Sequence, residues 1–260
     1  MAKLDQKSYS MEVTVICHKI GLGLLSFISS LKRNEFQVQF VLVAPRAELH
    51  PMRLKQMQIR KELLGSSKNF PQQMRSVIAR GLGLLGIKQI IIYLLCFLDS
   101  ICNRYKIINL NNDWESSTQD CFNNISVMYS LEGLLSSEAI AKFKHGIINI
   151  HPAKLPEYRG LDGSVWALKD GQQAGVSAYL VDKGIDTGPM IKFFPLRSQR
   201  IISLNSHLVA LKKLKYASYA EAIRSYRRGE IENLEPCVTK NQNRGVMSMR
   251  AMKEVVSQLQ

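Results

Sequence analysis

The stretch I-I-N-I-H-P-A-K-L-P-E-Y-R-G (147–160), followed after a short connection by G-V-S-A-Y-L-V-D-K-G-I-D-T-G-P-M-I (175–191), decides how the rest of the chain is read. Ile147–Ile150 is a short apolar run of strand length. Asn149 and His151 lie two residues apart in it, so both side chains leave the same face of a strand end. Val176–Val181 and Pro189–Leu196 read as two further strands joined by the loop Asp182–Gly188, which carries Asp186. An amide, an imidazole and a carboxylate delivered to strand ends and a tight loop form an acid/base constellation. Each also has a plain structural reading: Asn149 as a turn residue, His151 as a surface histidine, Asp186 as an Asx-turn former in Asp-Thr-Gly. Their joint order and spacing favour chemistry.

Working outward, Met11–Cys17 and Val38–Val43 are β-branched strands, and His18–Arg33 between them has helical apolar spacing at Leu24, Leu25, Ile28 and Leu31. Gly21 and Gly23 open that helix. A lone G-x-G lacks the third glycine of a dinucleotide fingerprint and reads as a tight turn. Tyr105–Leu110 and Ile125–Tyr129 are further strands, and Gly133–Phe143 a helix. The expected fold class is α/β: a Rossmann-like, mixed parallel/antiparallel sheet with helices on both faces. Ligands of such sheets bind at the carboxyl ends of strands, where His151 is expected. Residues 11–200 read as the catalytic domain and 201–260 as a helical extension, with a helix or helix pair over Ser203–Arg228 and a short helix near Met249–Leu259.

The chain has 260 residues and a formal net charge of +14, which favours anionic partners. Much of the charge lies in 46–80, where eight Lys and Arg face two Glu; this reads as a solvated basic helix pair or a platform for anions. The next segment, Gly81–Cys102, is the most apolar of the chain. Lys88 and Asp99 interrupt it, so it falls short of the ~20 apolar residues of a membrane span and reads as a buried helix. A basic segment followed by an apolar helix also admits peripheral contact with an anionic membrane. The five cysteines (17, 96, 102, 121 and 237) include no C-x-x-C pair and read as free thiols in a reducing cytoplasm. No metal-ligand pattern and no signal peptide are expected.

The pattern N-I-H-P-x-x-L-P-x-Y-R-G followed by G-V-x-x-x-x-V-D-x-G-I-D-T-G-P-M-I resembles the folate-dependent formyltransferase family, which spans methionyl-tRNA, glycinamide ribonucleotide and sugar N-formyltransferases. The likeness covers roughly 125–195. It implies a Rossmann-like domain, 10-formyltetrahydrofolate as formyl donor, and catalytic Asn149, His151 and Asp186. It also implies a largely backbone-lined folate site formed by Ser130, Leu131, Leu134 and Leu135 after one strand and by Lys183, Gly184 and Ile185 in the Asp182–Asp186 loop. Gly184 would let the main chain approach the pterin. The chain departs from the family at Tyr129-Ser130, where Tyr-Gly is usual, and at Ala153-Lys154, where Lys154 would stand near the entrance.

The chemistry of formyl transfer suits these residue types. An amine attacks the formyl carbon and negative charge develops on its oxygen; one hydrogen-bond donor aimed there is worth ~3–4 kcal/mol. His151 and the Asn149 amide can donate, and Asp186 can orient His151 or take the amine's proton. The family's tRNA-formylating members carry a C-terminal barrel that the residues after Ile191 are too few to form, so the expected acceptor is an anionic amine, an amino sugar on a nucleotide or lipid phosphate. The remaining readings are a methionyl-tRNA formyltransferase-like enzyme without that barrel, a formyltetrahydrofolate hydrolase, and a basic nucleic-acid-binding protein, for which no recognised motif is present. A homodimer is left open.

Overall fold

The fold is given by a computed structural model, and residues 11–44, 51–65, 85–110, 119–131, 135–197, 203–231 and 244–259 are described. Seven strands form one sheet: β1 (Glu12–Cys17), β2 (Gln37–Val43), β3 (Lys106–Asn109), β4 (Ile125–Ser130), β5 (Ile147–His151), β6 (Gly175–Leu180) and β7 (Met190–Pro195). Their order is β3-β2-β1-β4-β5-β6-β7. The strands from β3 to β5 are parallel; β6 and β7 run antiparallel to their neighbours. The mixed sheet of the sequence reading is therefore present. Its change of direction falls beside β5, the strand that carries Asn149 and His151.

Alternation along the strands builds two layers. Val13, Val15, Val38, Val127, Ile148 and Ile150 face one side, where α1 (Leu22–Arg33), α3 (Leu85–Asn103) and α6 (Leu204–Arg227) pack. Ile16, Leu42, Met128 and Ile147 face the other, against a 3-10 turn (Gln119–Phe122) and Phe143, which follows the short helix α4 (Ser137–Ala141). Thr14 is buried in the sheet and donates its hydroxyl to the Cys121 carbonyl at 2.9 Å, which pins that turn.

α6 is one helix, not a pair. It starts at a reciprocal Ser203/Ser206 capping box. Tyr219 is fully buried and its hydroxyl donates to the Met128 carbonyl. Leu211, Ala222 and Ile223 share the core with the strands of residues 11–200, so a boundary at residue 200 does not separate two cores. A smaller cluster joins Ile59 of α2 (Pro51–Gly65), Val165 of α5 (Gly163–Lys169) and Met252 and Val255 of α7 (Met249–Gln258).

Two expectations change. The Gly133–Phe143 helix shrinks to α4, which begins at the Ser136 cap. The apolar segment forms α3, but α3 is not buried: Cys96 and Ser100 are, whereas eight large apolar side chains between Ile90 and Ile101 are exposed. Among the described residues no helix is long and apolar enough to cross a membrane.

Candidate active site

β5 ends at His151, which is buried, and the chain then turns through Pro152–Gly160. Two bonds hold that turn. Ser177, paired with His151 across β5 and β6, accepts the Leu155 N–H at 3.0 Å. The Tyr158 carbonyl lies 2.8 Å from His151 Nε2. On the other side of the ring, Nδ1 stands 3.1 Å from Asp186 Oδ2. A carbonyl and a carboxylate oxygen both only accept, so an imidazole with a hydrogen on each nitrogen satisfies both neighbours.

Asp186 adopts a left-handed backbone conformation, φ 51°, at the end of a loop that Asp182 staples. Asp182 Oδ1 accepts the Gly184 N–H at 3.0 Å and the Thr187 hydroxyl at 2.6 Å. Asp186 is largely buried, and burial would raise its pKa. The charge of His151 outweighs that, joined by hydrogen bonds from His151, Tyr179 and the Gly160 amide, and the carboxyl is held well below the usual carboxylate range. A carboxylate so well satisfied is a poor proton acceptor, so the geometry favours Asp186 as the group that orients His151 over Asp186 as the base.

Tyr179 completes the arrangement, and the sequence reading passed over it. It sits opposite Asn149 in the β5–β6 ladder. Its hydroxyl is 2.8 Å from Asp186 Oδ1 and 2.9 Å from Asn149 Nδ2. Because ionised Asp186 can only accept, Tyr179 donates to it. The Tyr179 oxygen then accepts from the Asn149 amide, which fixes the amide orientation. Asn149 Oδ1 is left buried with no hydrogen-bond partner, a free acceptor facing no donor of its own.

The folate-side expectations divide. Leu131 and Leu135 pack with Val181 against one hydrophobic cluster, forming an apolar wall beside the Asp182–Asp186 loop. Leu134 lies outside the described residues. Ser130 ends β4, and its carbonyl accepts the His18 N–H at 3.0 Å. Lys183 and Ile185 are exposed on the loop. A Cβ at Gly184 would overlap the Thr187 hydroxyl, so the loop's own staple already requires the glycine. Likewise a Cβ at Gly23 would overlap the Tyr129 hydroxyl, which accounts for the second glycine of the G-x-G turn.

The described part of the basic region flanks this site. From α2, Gln56 and Arg60 both reach Asp162 Oδ1 at 2.6 Å, while the Met247 N–H reaches Oδ2 at 3.1 Å. Asp162 is buried in a left-handed conformation, φ 58°, two residues after Gly160, so it ties α2, the site loop and the C-terminal segment together. Three cations near the site are paired internally: Arg60 with Asp162, Lys154 with Glu157 at 2.8 Å, and Arg244 with Asp170 at 2.6 Å. Lys154 is thus already paired at the entrance. Lys215, half-buried on α6, lies within electrostatic reach of Asp186 and Arg53. Burial lowers its pKa to about 8; Asp186 opposes that shift and Arg53 adds to it. No signal before residue 191 points to Lys215.

Among the described residues no three His, Cys, Asp or Glu side chains converge as a metal site. A groove of about 620 Å³ between β7 and α6, walled by Phe194, Leu196, Val209 and Leu214, includes none of the motif residues.

A family model described as Formyl transferase matches residues 101–194. The methionyl-tRNA formyltransferase of Synechocystis sp. is 32% identical over 106 residues, 40% of this chain and 31% of that protein. That of Thermodesulfovibrio yellowstonii is 40% identical over 73 residues, 28% and 22% of the two chains. The match thus spans less than a third of these relatives' own length. The phosphoribosylglycinamide formyltransferase of Anaplasma phagocytophilum superposes with a TM-score of 0.55 at 16% identity, covering 90% of this chain and 95% of that one. Glycinamide ribonucleotide transformylase 1 of Symbiobacterium toebii gives 0.52 at 15%, covering 93% and 96%. These two establish likeness of fold. The family match falls on the strands and loops that carry Asn149, His151 and Asp186: residues 101–194 resemble the formyl transferase family, and the chain has the fold of the two solved formyltransferases.

Proposed function

We propose that this protein transfers a formyl group from 10-formyltetrahydrofolate to a primary amine on an anionic acceptor, an amino sugar carried on a nucleotide or lipid phosphate. The observation that carries the reading is the closed chain His151–Asp186–Tyr179–Asn149, which ends in an unpartnered, buried Asn149 Oδ1.

The donor would lie against the apolar wall of Leu131, Leu135 and Val181 and the loop bearing Lys183 and Ile185, and would supply the activated one-carbon unit. Around it the protein's own groups divide the work. Asn149 Oδ1 accepts an N–H of the attacking amine and so aims its lone pair. The second Asn149 N–H and the positive charge on His151 stabilise the oxygen that becomes negative; a preorganised donor of this kind contributes ~3–4 kcal/mol. Asp186 holds the His151 ring in place. Arg53 and Lys215 favour an anionic acceptor on the α2–α6 side.

The test is incubation of the whole chain with 10-formyltetrahydrofolate and a panel of amino-sugar nucleotides, with methionyl-tRNA included, followed by mass spectrometry. A formylated amino sugar is expected from the wild type and none from His151→Ala. Formylated methionyl-tRNA alone would replace the acceptor assigned here. Formate released without any acceptor would identify a hydrolase.

A further inference from the structure

α3 wears its amphipathic pattern inside out. At 100° per residue its described side chains fall into two arcs. The narrow arc, roughly 100° wide, holds Ile92, Cys96, Asp99, Ser100 and Asn103; Ile92 and Cys96 pack into the core. The polar members of this arc are satisfied locally. Asp99 accepts from Asn103 Nδ2 at 2.6 Å and from the Tyr105 hydroxyl at 2.9 Å, and Ser100 donates to the Phe97 carbonyl at 2.6 Å. The wide arc, roughly 200°, carries no charged side chain. Eight large apolar side chains stand on it at 43–67% exposure, with Ile90, Leu94, Phe97 and Ile101 along its centre. Scattered exposed leucines are ordinary; a continuous face of this size marks a contact surface.

The charges around the helix select the occupant. Arg104 follows the last turn and Lys106 begins the neighbouring edge strand β3; both are exposed. The C-terminal end of the apolar face is therefore cationic. Parallel pairing with a second copy would set these cations against one another. A layer of anionic headgroups meets Arg104 and Lys106 favourably while the apolar face enters the acyl boundary. Since no described helix is suited to crossing a membrane, the helix lies on the surface.

We propose that the outer face of α3 seats this protein on an anionic lipid bilayer. The contact does not depend on the acceptor assigned above. The experiment is sedimentation of the full chain with vesicles of phosphatidylcholine alone and of phosphatidylcholine with phosphatidylglycerol, across a salt series, with light scattering of the lipid-free protein. Binding is expected with the anionic vesicles and should weaken as salt rises. Leu94→Glu with Phe97→Glu should abolish it. Arg104→Ser with Lys106→Ser keeps the apolar face and should lower partitioning roughly 30-fold, about fivefold per cation. Circular dichroism and tetrahydrofolate binding, both expected to be unchanged, report that each variant is folded. Equal binding to neutral and anionic vesicles, or vesicle binding that survives the double glutamate variant, would overturn the proposal. So would a stable lipid-free dimer that the glutamate variant dissociates in a protein that ignores vesicles.

Discussion

Replacing Tyr179 by Phe removes one oxygen from the centre of the site and leaves the ring, which is buried between its neighbours in β6. Two hydrogen bonds go with it. The bond to Asp186 is charge-assisted and contributes ~1.5–3 kcal/mol, and the bond from Asn149 contributes ~0.5–1.5 kcal/mol. A loss of ~2–4 kcal/mol in denaturant unfolding is expected, or roughly 4–16 °C in melting temperature. The pH dependence has a defined sign. Asp186 has a depressed pKa in the folded chain, so its contribution is fully present above the unfolded carboxylate value of about 4 and is lost as pH falls toward the folded value. Without Tyr179 the folded pKa moves up, and the variant has less of this contribution to lose. The stability gap between wild type and Tyr179→Phe should therefore be widest above about pH 4 and narrow below it. Activity should fall by kcat, up to ~10²-fold, because the Asn149 amide is no longer held in one orientation. KM for the formyl donor should stay unchanged, since Tyr179 is not among the residues that form the apolar wall. A variant within about 0.5 kcal/mol of wild type, with kcat within about twofold, would refute the chain of donors and acceptors inferred from Asp186 to Asn149.

Two other perturbations probe the surroundings. Lys215→Met removes a lysine whose pKa is pushed down to about 8 by burial. In the wild type the unfolded chain binds this proton more tightly than the folded one, so stability rises with pH from about 8 toward the ordinary lysine value; the variant should lack that alkaline rise in urea unfolding. Asp162→Ala strips Gln56, Arg60 and the Met247 amide of their common acceptor and leaves Arg60 unpaired; a loss of ~3–5 kcal/mol is expected, with faster proteolysis within α2. Asp162→Asn, which tolerates the left-handed backbone, should cost less.

Asn149, His151 and Asp186 were legible because local rules place them: a two-residue step at a strand end, and a turn whose Asp, Gly and Thr staple one another. Tyr179 was not. In V-S-A-Y-L it reads as one more core aromatic, and its hydroxyl gains meaning only from the antiparallel register that sets it opposite Asn149. Lys215 was missed for a related reason. It lies on a helix well past the motif, and only packing of α6 beneath the sheet brings it toward Asp186. Gly184 was legible as a necessity, although sequence alone did not show that Thr187 of its own loop demands it. Hydrophobicity identified α3 as a helix but could not say which side would be covered. Its polar residues turned inward to Tyr105 and to one another, against the usual pattern.

Register is what converts this fold into a site. β5 sits between a parallel neighbour, β4, and an antiparallel one, β6. In that ladder Asn149 faces Tyr179 and His151 faces Ser177, so a single pairing supplies both the orientation of the amide and the anchor of the turn that carries the Tyr158 carbonyl. A slip of one residue would carry Tyr179 and Ser177 to the opposite face of the sheet and break both links. The alternation guards against it: Val176 and Ala178 lie in the core shared with α6, Ser177 and Tyr179 are buried on the opposite face beside His151 and Asn149, and the slipped register would carry a serine and a phenol into that core without partners. The core residues of β6 thus hold the chemistry in place, although none of them touches it.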